Sequence, residues 1–307
     1  MNKNVLVTGA SGFIGSHLCE ELIRKRYTVF ALVRSAKGGN LRSLPKSGRL
    51  RVRKGSIADS KFLDKVIKAN NIGAILHLAA ALPNADDLKD PLPGFRANAE
   101  GTLNILRAAA ANGVKNFIYA STMSVYAEPP SRLPVGEGHP LAPSTIYSVG
   151  KLAGELLCNV YAPRMRITVL RYGGAYGPRQ PDTKVIPRFV KQARAGLPLT
   201  LLGSGRQTTD FVYVGDIVDG TIRALEKNKP GTYNLGGGKE HSIRGVANLI
   251  IAMTGSRSSV ASSGKDADRP FRFFLNITKA HRNLGYAPRP LKEGLRQYLR
   301  YLDTKKK

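Results

Sequence analysis

Two side chains in the segment STIYSVGKLAGE (144–155) have the types and spacing for proton chemistry: Tyr147 and Lys151, four residues apart. On a helix, positions i and i+4 are neighbours on one face. A tyrosine hydroxyl titrates at about 10 and is a poor base alone; an adjacent ammonium favours the phenolate and brings it toward working pH. The spacing by itself is weak, because 12 tyrosines in a basic chain produce about one Tyr-x-x-x-Lys match by chance. The elements that carry the pair have to decide.

Val149, Leu152, Ala153, Leu156, Leu157 and Val160 form one apolar stripe at helical spacing. At about 100° per residue, Tyr147 and Lys151 fall on the opposite face of that helix, outside the core. Gly150 and Gly154 lie beside them, although a glycine costs about 1 kcal/mol in a helix interior relative to alanine. Their presence implies that something approaches this face closely.

A second constellation lies near the start of the chain. The strand VLVT (5–8) runs into GASGFIGSHL, with Gly9, Gly12 and Gly15 at three-residue spacing. A tight turn, a bare backbone for a diphosphate, and a helix packed close to its strand each call for glycine. The helix start, at Phe13, Ile14 and Gly15, then offers free N–H groups and a positive dipole end to phosphate. Strand, glycine turn and amphipathic helix together predict a dinucleotide site. The second strand ends ALVRS, where an acidic residue would hold ribose hydroxyls. Arg34 there, with Ser35 and Lys37, favours NADP(H) over NAD(H).

Around these sites the first half alternates short apolar strands (VLVT, TVFALV, AILHLA, NFIYAS, ITVLRY) with helical patterns such as FIGSHLCEELIRK and ANAEGTLNILRAAAANG. Buried strands alternating with helices predict an α/β fold, a Rossmann-type doubly wound parallel sheet. Residues 1–171 form the dinucleotide-binding domain in this reading, with a return segment near 211–237. The glycine- and proline-rich remainder, 172–307, reads as a smaller, mixed substrate lobe at the carboxyl edge of the sheet.

Composition narrows the classes. With 42% hydrophobic and 22% charged residues the chain is globular. Two cysteines and five histidines, scattered along it, show neither a disulfide framework nor metal-ligand spacing. No metal is expected, and a reducing, cytoplasmic compartment follows. MNKNVLVTGA runs almost at once into an apolar strand and a glycine turn, so no secretory leader is expected, and no apolar run reaches the roughly 20 residues of a membrane span. The net charge is +27, with eight basic and no acidic residues between Arg34 and Lys54. Such a field attracts anionic nucleotides and substrates. A nucleic-acid module is missing, as is the aromatic-basic interleaving of a base-stacking surface, so neither nucleic acid nor membrane is an expected partner.

These motifs resemble the extended short-chain dehydrogenase/reductases, in particular the branch of NAD(P)-dependent epimerases, dehydratases and reductases of nucleotide sugars. The resemblance runs through TGASGFIG (8–15), HLAA (77–80), NAEGT (98–102), YASTMSVY (119–126), YSVGK (147–151), LRYGGAYGP (170–178), DFVYVGD (210–216), YNLGGG (233–238) and LGYAPR (284–289). It implies a catalytic Tyr147/Lys151 pair, with Lys151 also bonding the nicotinamide ribose and Thr122 bonding the reacting hydroxyl. It implies cofactor contacts from Ile57, Asp59, Leu78, Ala79, Ala80 and Tyr172, with Asn98 supporting the fold beside them. Ser56 stands where the family has an aspartate against the adenine.

The same resemblance bears on the reaction. Family 4,6-dehydratases carry an Asp-Glu pair after the threonine; Met123 and Ser124 occupy those places here, as candidate substrate-binding residues, and cannot act as acid and base at neutral pH. A 4-epimerase or 4-ketoreductase is expected instead. At the substrate, Thr209 stands where an arginine commonly meets the diphosphate, and Gly174 where an asparagine is usual. Arg269 matches a second phosphate-binding arginine, and Arg206, Arg179 and Arg188 are candidates to compensate. The departures keep two alternatives open: an NADPH-dependent reductase of a non-nucleotide ketone or aldehyde, and a non-catalytic dinucleotide-binding protein. The resemblance further implies a homodimer through the Tyr/Lys helix and the one before it.

Overall fold

A computed structural model of the chain describes residues 3–35, 39–82, 88–264 and 271–305. Lys37 and Arg269 lie outside the described residues. Seven strands build the main sheet: β1 (Asn4–Thr8), β2 (Thr28–Val33), β3 (Leu50–Lys54), β4 (Ala74–His77), β5 (Asn116–Thr122), β6 (Arg166–Tyr172) and, later in the chain, β11 (Gly231–Leu235). They lie in the order β3-β2-β1-β4-β5-β6-β11, every pairing parallel. Their continuous apolar runs follow from burial on both faces.

Each face has its own core. On one side α1 (Phe13–Arg24) and α7 (Val214–Lys227) pack Leu18, Leu22, Ile217 and Ile222 against Val5, Val7 and Leu170. On the other side lie α2 (Ser60–Ala69), the short α3 (Leu92–Phe95) with the wider turn 96–100 that follows it, α4 (Gly101–Ala111) and α5 (Ile146–Tyr161). Leu63, Ile105, Leu106 and Cys158 there meet Leu6, Ile75 and Phe117. The strand order reverses between β1 and β4, so their carboxyl ends open the crevice in which such sheets bind ligands.

A smaller lobe follows. Two short ladders flank its entry: β7 (Gly174–Tyr176) with β10 (Phe211–Tyr213), and β9 (Thr208–Thr209) with β12 (His241–Ser242). Its own core joins α6 (Val185–Arg194), α8 (Ile243–Thr254) and α10 (Leu291–Thr304) to β8 (Leu199–Leu202), which pairs with β13 (Val260–Ser263). Between these pieces α7, β11 and α9 (Thr278–Leu284) return to the main sheet. Buried Asp210 ties lobe and sheet: its carboxylate accepts the backbone N–H groups of Gly237, Gly238 and Leu275.

Candidate active site

A cavity of about 590 Å³ sits over the carboxyl ends of the strands, with Gly9, Gly12–Gly15, Arg34, Ile57, Leu78–Leu82, Ser121, Tyr147, Lys151 and Tyr172 in its wall. The glycine turn is built as its sequence requires. Gly9 has φ +67°, and a Cβ on it would stand 2.7 Å from the Ala79 nitrogen. At Gly15 a Cβ would stand 2.2 Å from the Gly9 carbonyl oxygen. Gly12 differs: it begins α1 without a side-chain cap or an acidic first turn, and a Cβ there would meet only the Gly9 oxygen, at 3.1 Å. The first N–H groups of α1 are therefore unclaimed and open onto the cavity, a seat that fits a diphosphate.

Arg34, at the end of β2, and Ile57 stand in the wall together with Gly55, Ser56 and Ala58. Asp59 and Ser35 are not in that wall. The Asp59 carboxylate caps α2 by accepting the Phe62 N–H at 2.9 Å, an ordinary helix-start role. Asn98 is buried and clamps the loop after β4, taking the Ala81 N–H at 2.8 Å and donating to the Ala81 carbonyl at 2.9 Å. A buried chain holds the same loop from the other side. Thr102 donates to the Asn98 carbonyl, so its oxygen accepts from His77 Nε2. His77 Nδ1 then accepts from Thr8, whose oxygen takes the Ala79 N–H. Burial lowers His77 to about 3, keeping the ring neutral as this chain requires.

Helix α5 is turned over relative to the reading of its apolar stripe. Val149, Leu156 and Val160 are 39%, 59% and 71% exposed, whereas Lys151 is 3% exposed. The buried face is Ser148, Gly150, Lys151, Gly154, Glu155 and Cys158. Both glycines have a packing cause. A Cβ on Gly150 would stand 2.7 Å from Asn98 Cβ, and one on Gly154 only 2.1 Å from the Tyr119 hydroxyl oxygen. What approaches this face is the protein itself.

Tyr147 and Lys151 share one wall of the cavity, and Thr122, which ends β5, lies close enough to the Tyr147 phenol to bear on its charge. Burial holds the Tyr147 phenol above its ordinary range, and the hydrogen bond with Thr122 opposes that rise. The expected lowering by Lys151 is not what acts on Tyr147 in this structure. The ammonium donates to the Ala120 carbonyl at 2.8 Å and stands 4.9 Å from the Tyr119 ring centre. Burial brings Lys151 itself down to about 8.

The candidate substrate residues that the structure describes stand outside the cavity wall. Met123 packs against the buried cluster of Tyr126, Val135, Phe273 and Leu275, and the Ser124 N–H donates to Thr122 at 3.2 Å. Gly174 donates its N–H to the Asp210 carbonyl at 2.8 Å, and a Cβ would stand only 2.8 Å from that oxygen, so an asparagine does not fit there without a shift. Thr209 pairs across its ladder with His241, and Arg206 is exposed on the preceding turn, near Ser204. Arg179 does not reach for substrate: its side chain is 7% exposed and ion-paired with Glu20 of α1 at 2.5 Å. Arg188 lies over Phe189 and donates to the Thr200 carbonyl. Among the described residues no group of acidic, histidine and cysteine side chains could hold a metal, and no helix is long and apolar enough to cross a membrane.

Residues 5–236 match the model of the NAD dependent epimerase/dehydratase family. The chain belongs to that family. It is 34% identical to an uncharacterized UDP-glucose epimerase of Bacillus subtilis, the match covering 98% of each chain. Among solved structures it is similar to the UDP-glucose 4-epimerase of Thermotoga maritima with UDP-glucose, at TM-score 0.91 and 28% identity over 99% of this chain and 100% of that one. It is also similar to the UDP-glucuronic acid 4-epimerase of Bacillus cereus in complex with UDP-glucuronic acid and NAD, at TM-score 0.86 and 34% identity over 98% and 99%. Relatives named as a UDP-glucuronic acid decarboxylase and a dTDP-glucose 4,6-dehydratase are also found.

In this epimerase/dehydratase chain, parts of the cavity wall escaped the reading of the sequence, among them Ser121, the 81–82 loop, and the patch of Arg96, Ala97, Glu100 and Asn104. The sequence signal for Ser121 was its place beside Thr122 in YAST. The other two follow only from where α4 lies against the loop after β4.

Proposed function

We propose that the protein is a nucleotide-sugar 4-epimerase working through Tyr147, Lys151 and Thr122 with a nicotinamide dinucleotide held along the cavity. The observation that carries this is the placement of Tyr147 and Lys151 together, at the end of the strand that Thr122 closes, in the wall of a cavity that also holds an uncapped helix start. Its relatives' names and bound molecules support the same reading. When bound, the dinucleotide supplies a hydride acceptor that can return what it takes.

Thr122 would orient the sugar hydroxyl at C4, and Tyr147 would take its proton during oxidation of that carbon and return it on reduction of the turned-over 4-keto sugar. Lys151 stands buried beside this exchange, where it can bond a ribose hydroxyl. Met123, committed to the core, and Ser124, bonded to Thr122, provide neither acid nor base, which speaks against elimination of water. The exposed stripe of Val149, Leu156 and Val160 is the face we assign to a second copy of the chain in a homodimer.

Arg34 favours a second reading, a 4-ketoreductase fed by NADPH, since it stands in the wall where a 2′-phosphate would lie. Mass spectrometry of the protein as purified separates the two. Retained NAD(H) is the epimerase result; an empty site that takes NADPH in preference to NADH moves the assignment to the reductase.

A further inference from the structure

Ser121 stands in the cavity wall between two residues of the reacting end. Ala120 gives its carbonyl to Lys151, and Thr122 reaches Tyr147. Its own hydroxyl is committed in the opposite direction. It donates to Glu155 Oε1, and that carboxylate is gripped by Arg171 through Nε at 3.0 Å and Nη2 at 2.6 Å. Both side chains of this ion pair are 5% exposed, so the arrangement is shielded from water. Arg171 is fixed in turn, donating to the Glu137 carbonyl at 3.1 Å and lying over the Tyr126 ring.

An arginine keeps its proton in proteins, and a carboxylate paired with it only accepts. The Ser121 proton must therefore point at Glu155. A serine oxygen has two lone pairs, so toward the cavity Ser121 offers an acceptor and no donor. Most serines in binding sites can rotate the hydroxyl to suit either kind of partner. This one cannot.

We infer that Ser121 is a cofactor-reading residue whose oxygen, its proton locked away by Glu155 and Arg171, accepts an N–H from the nicotinamide carboxamide. The inference rests on the reading of the cavity as a nicotinamide dinucleotide site. At the end marked by Tyr147 and Lys151, the dinucleotide presents ribose hydroxyls and one amide. The hydroxyls serve as donor or acceptor and adapt to an ammonium; the amide nitrogen only donates. A fixed acceptor is wasted on the first and specific for the second. Holding the amide also sets which face of the ring meets the substrate, so Glu155 and Arg171 act as positioning residues through Ser121.

The test compares NAD+ with its 3-acetylpyridine analogue, in which a methyl replaces the amide NH2. Affinities are measured by calorimetry on protein freed of cofactor, with ADP-ribose, which has no ring, as the control. The wild type is expected to favour NAD+ by about fivefold or more, the worth of one ordinary hydrogen bond. In Ser121→Ala that ratio falls to about one, while ADP-ribose affinity stays unchanged. An unchanged ratio in Ser121→Ala, a ratio near one in the wild type, or an equal loss of ADP-ribose overturns the inference. Failure of the wild type to bind even ADP-ribose removes the dinucleotide reading along with it.

Discussion

In the proposed reaction Tyr147 gives and takes a proton in a site that resists its charge. Burial raises its phenol, and the hydrogen bond with Thr122 is the opposing pull. The sign for the pH profile follows. Activity that needs the phenolate increases with pH, and removing the Thr122 hydroxyl moves the midpoint of that rise upward. For Thr122→Val we predict an alkaline shift of the kcat/KM profile with a lower plateau, read from initial rates across pH. An unshifted midpoint would mean that Thr122 does not bear on the proton. Tyr147→Phe is predicted to lower kcat by about 10²–10⁴, the usual worth of general acid-base catalysis, while bound dinucleotide measured after purification is retained. These residues were legible in the chain because their motifs are local: a glycine turn after a strand, a Tyr/Lys pair on a helix, a threonine ending a strand. Arg179 was misleading for the opposite reason: its partner, Glu20, is chosen by packing, which a motif does not reveal, whereas the Asp59 carboxylate is taken by a local helix cap at the Phe62 N–H.

At the scale of the element, α5 shows how hydrophobic periodicity can mislead. The helix lies against Asn98 and the sheet by small residues and paired charges, Gly150, Gly154 and Glu155 with Arg171, and leaves Val149, Leu156 and Val160 of its apolar stripe outside while Leu157 still packs on the core. Patterning assigns apolar residues to the core, so a face buried by close approach reads as a surface. Gly154→Ala tests the close approach. A methyl there has no room beside the Tyr119 hydroxyl, which is fully buried and cannot move aside freely. The gain of alanine over glycine in a helix, about 1 kcal/mol, is outweighed by overpacking of about 1–3 kcal/mol. A lower Tm is expected for Gly154→Ala. Gly48→Ala, where an added methyl meets nothing within 4 Å, is expected to leave the Tm in place. Equal melting of the two variants would contradict the packing account.

For the whole molecule, the sheet was the legible part and the lobe the illegible one. Parallel strands buried on both faces are continuous apolar runs, and their order follows from βαβ connections. The lobe is held by ladders of two to four residues and by Asp210 reaching three backbone N–H groups, none of which leaves a periodic trace. The same scale holds the quaternary prediction. Leu156→Arg with Val160→Arg places two charges in the exposed stripe, and light scattering should find a monomer where the wild type is a dimer. A monomeric wild type, or an undisturbed dimer in the variant, would assign the stripe another role. The central claim, that hydride leaves and returns to one carbon, is tested most directly by a UDP-hexose carrying deuterium at C4. The purified protein, given no added cofactor, is predicted to yield the C4 epimer with the deuterium still on C4, as read by NMR. Loss of the label to solvent, a 6-deoxy-4-keto product, or no epimer at all would contradict it.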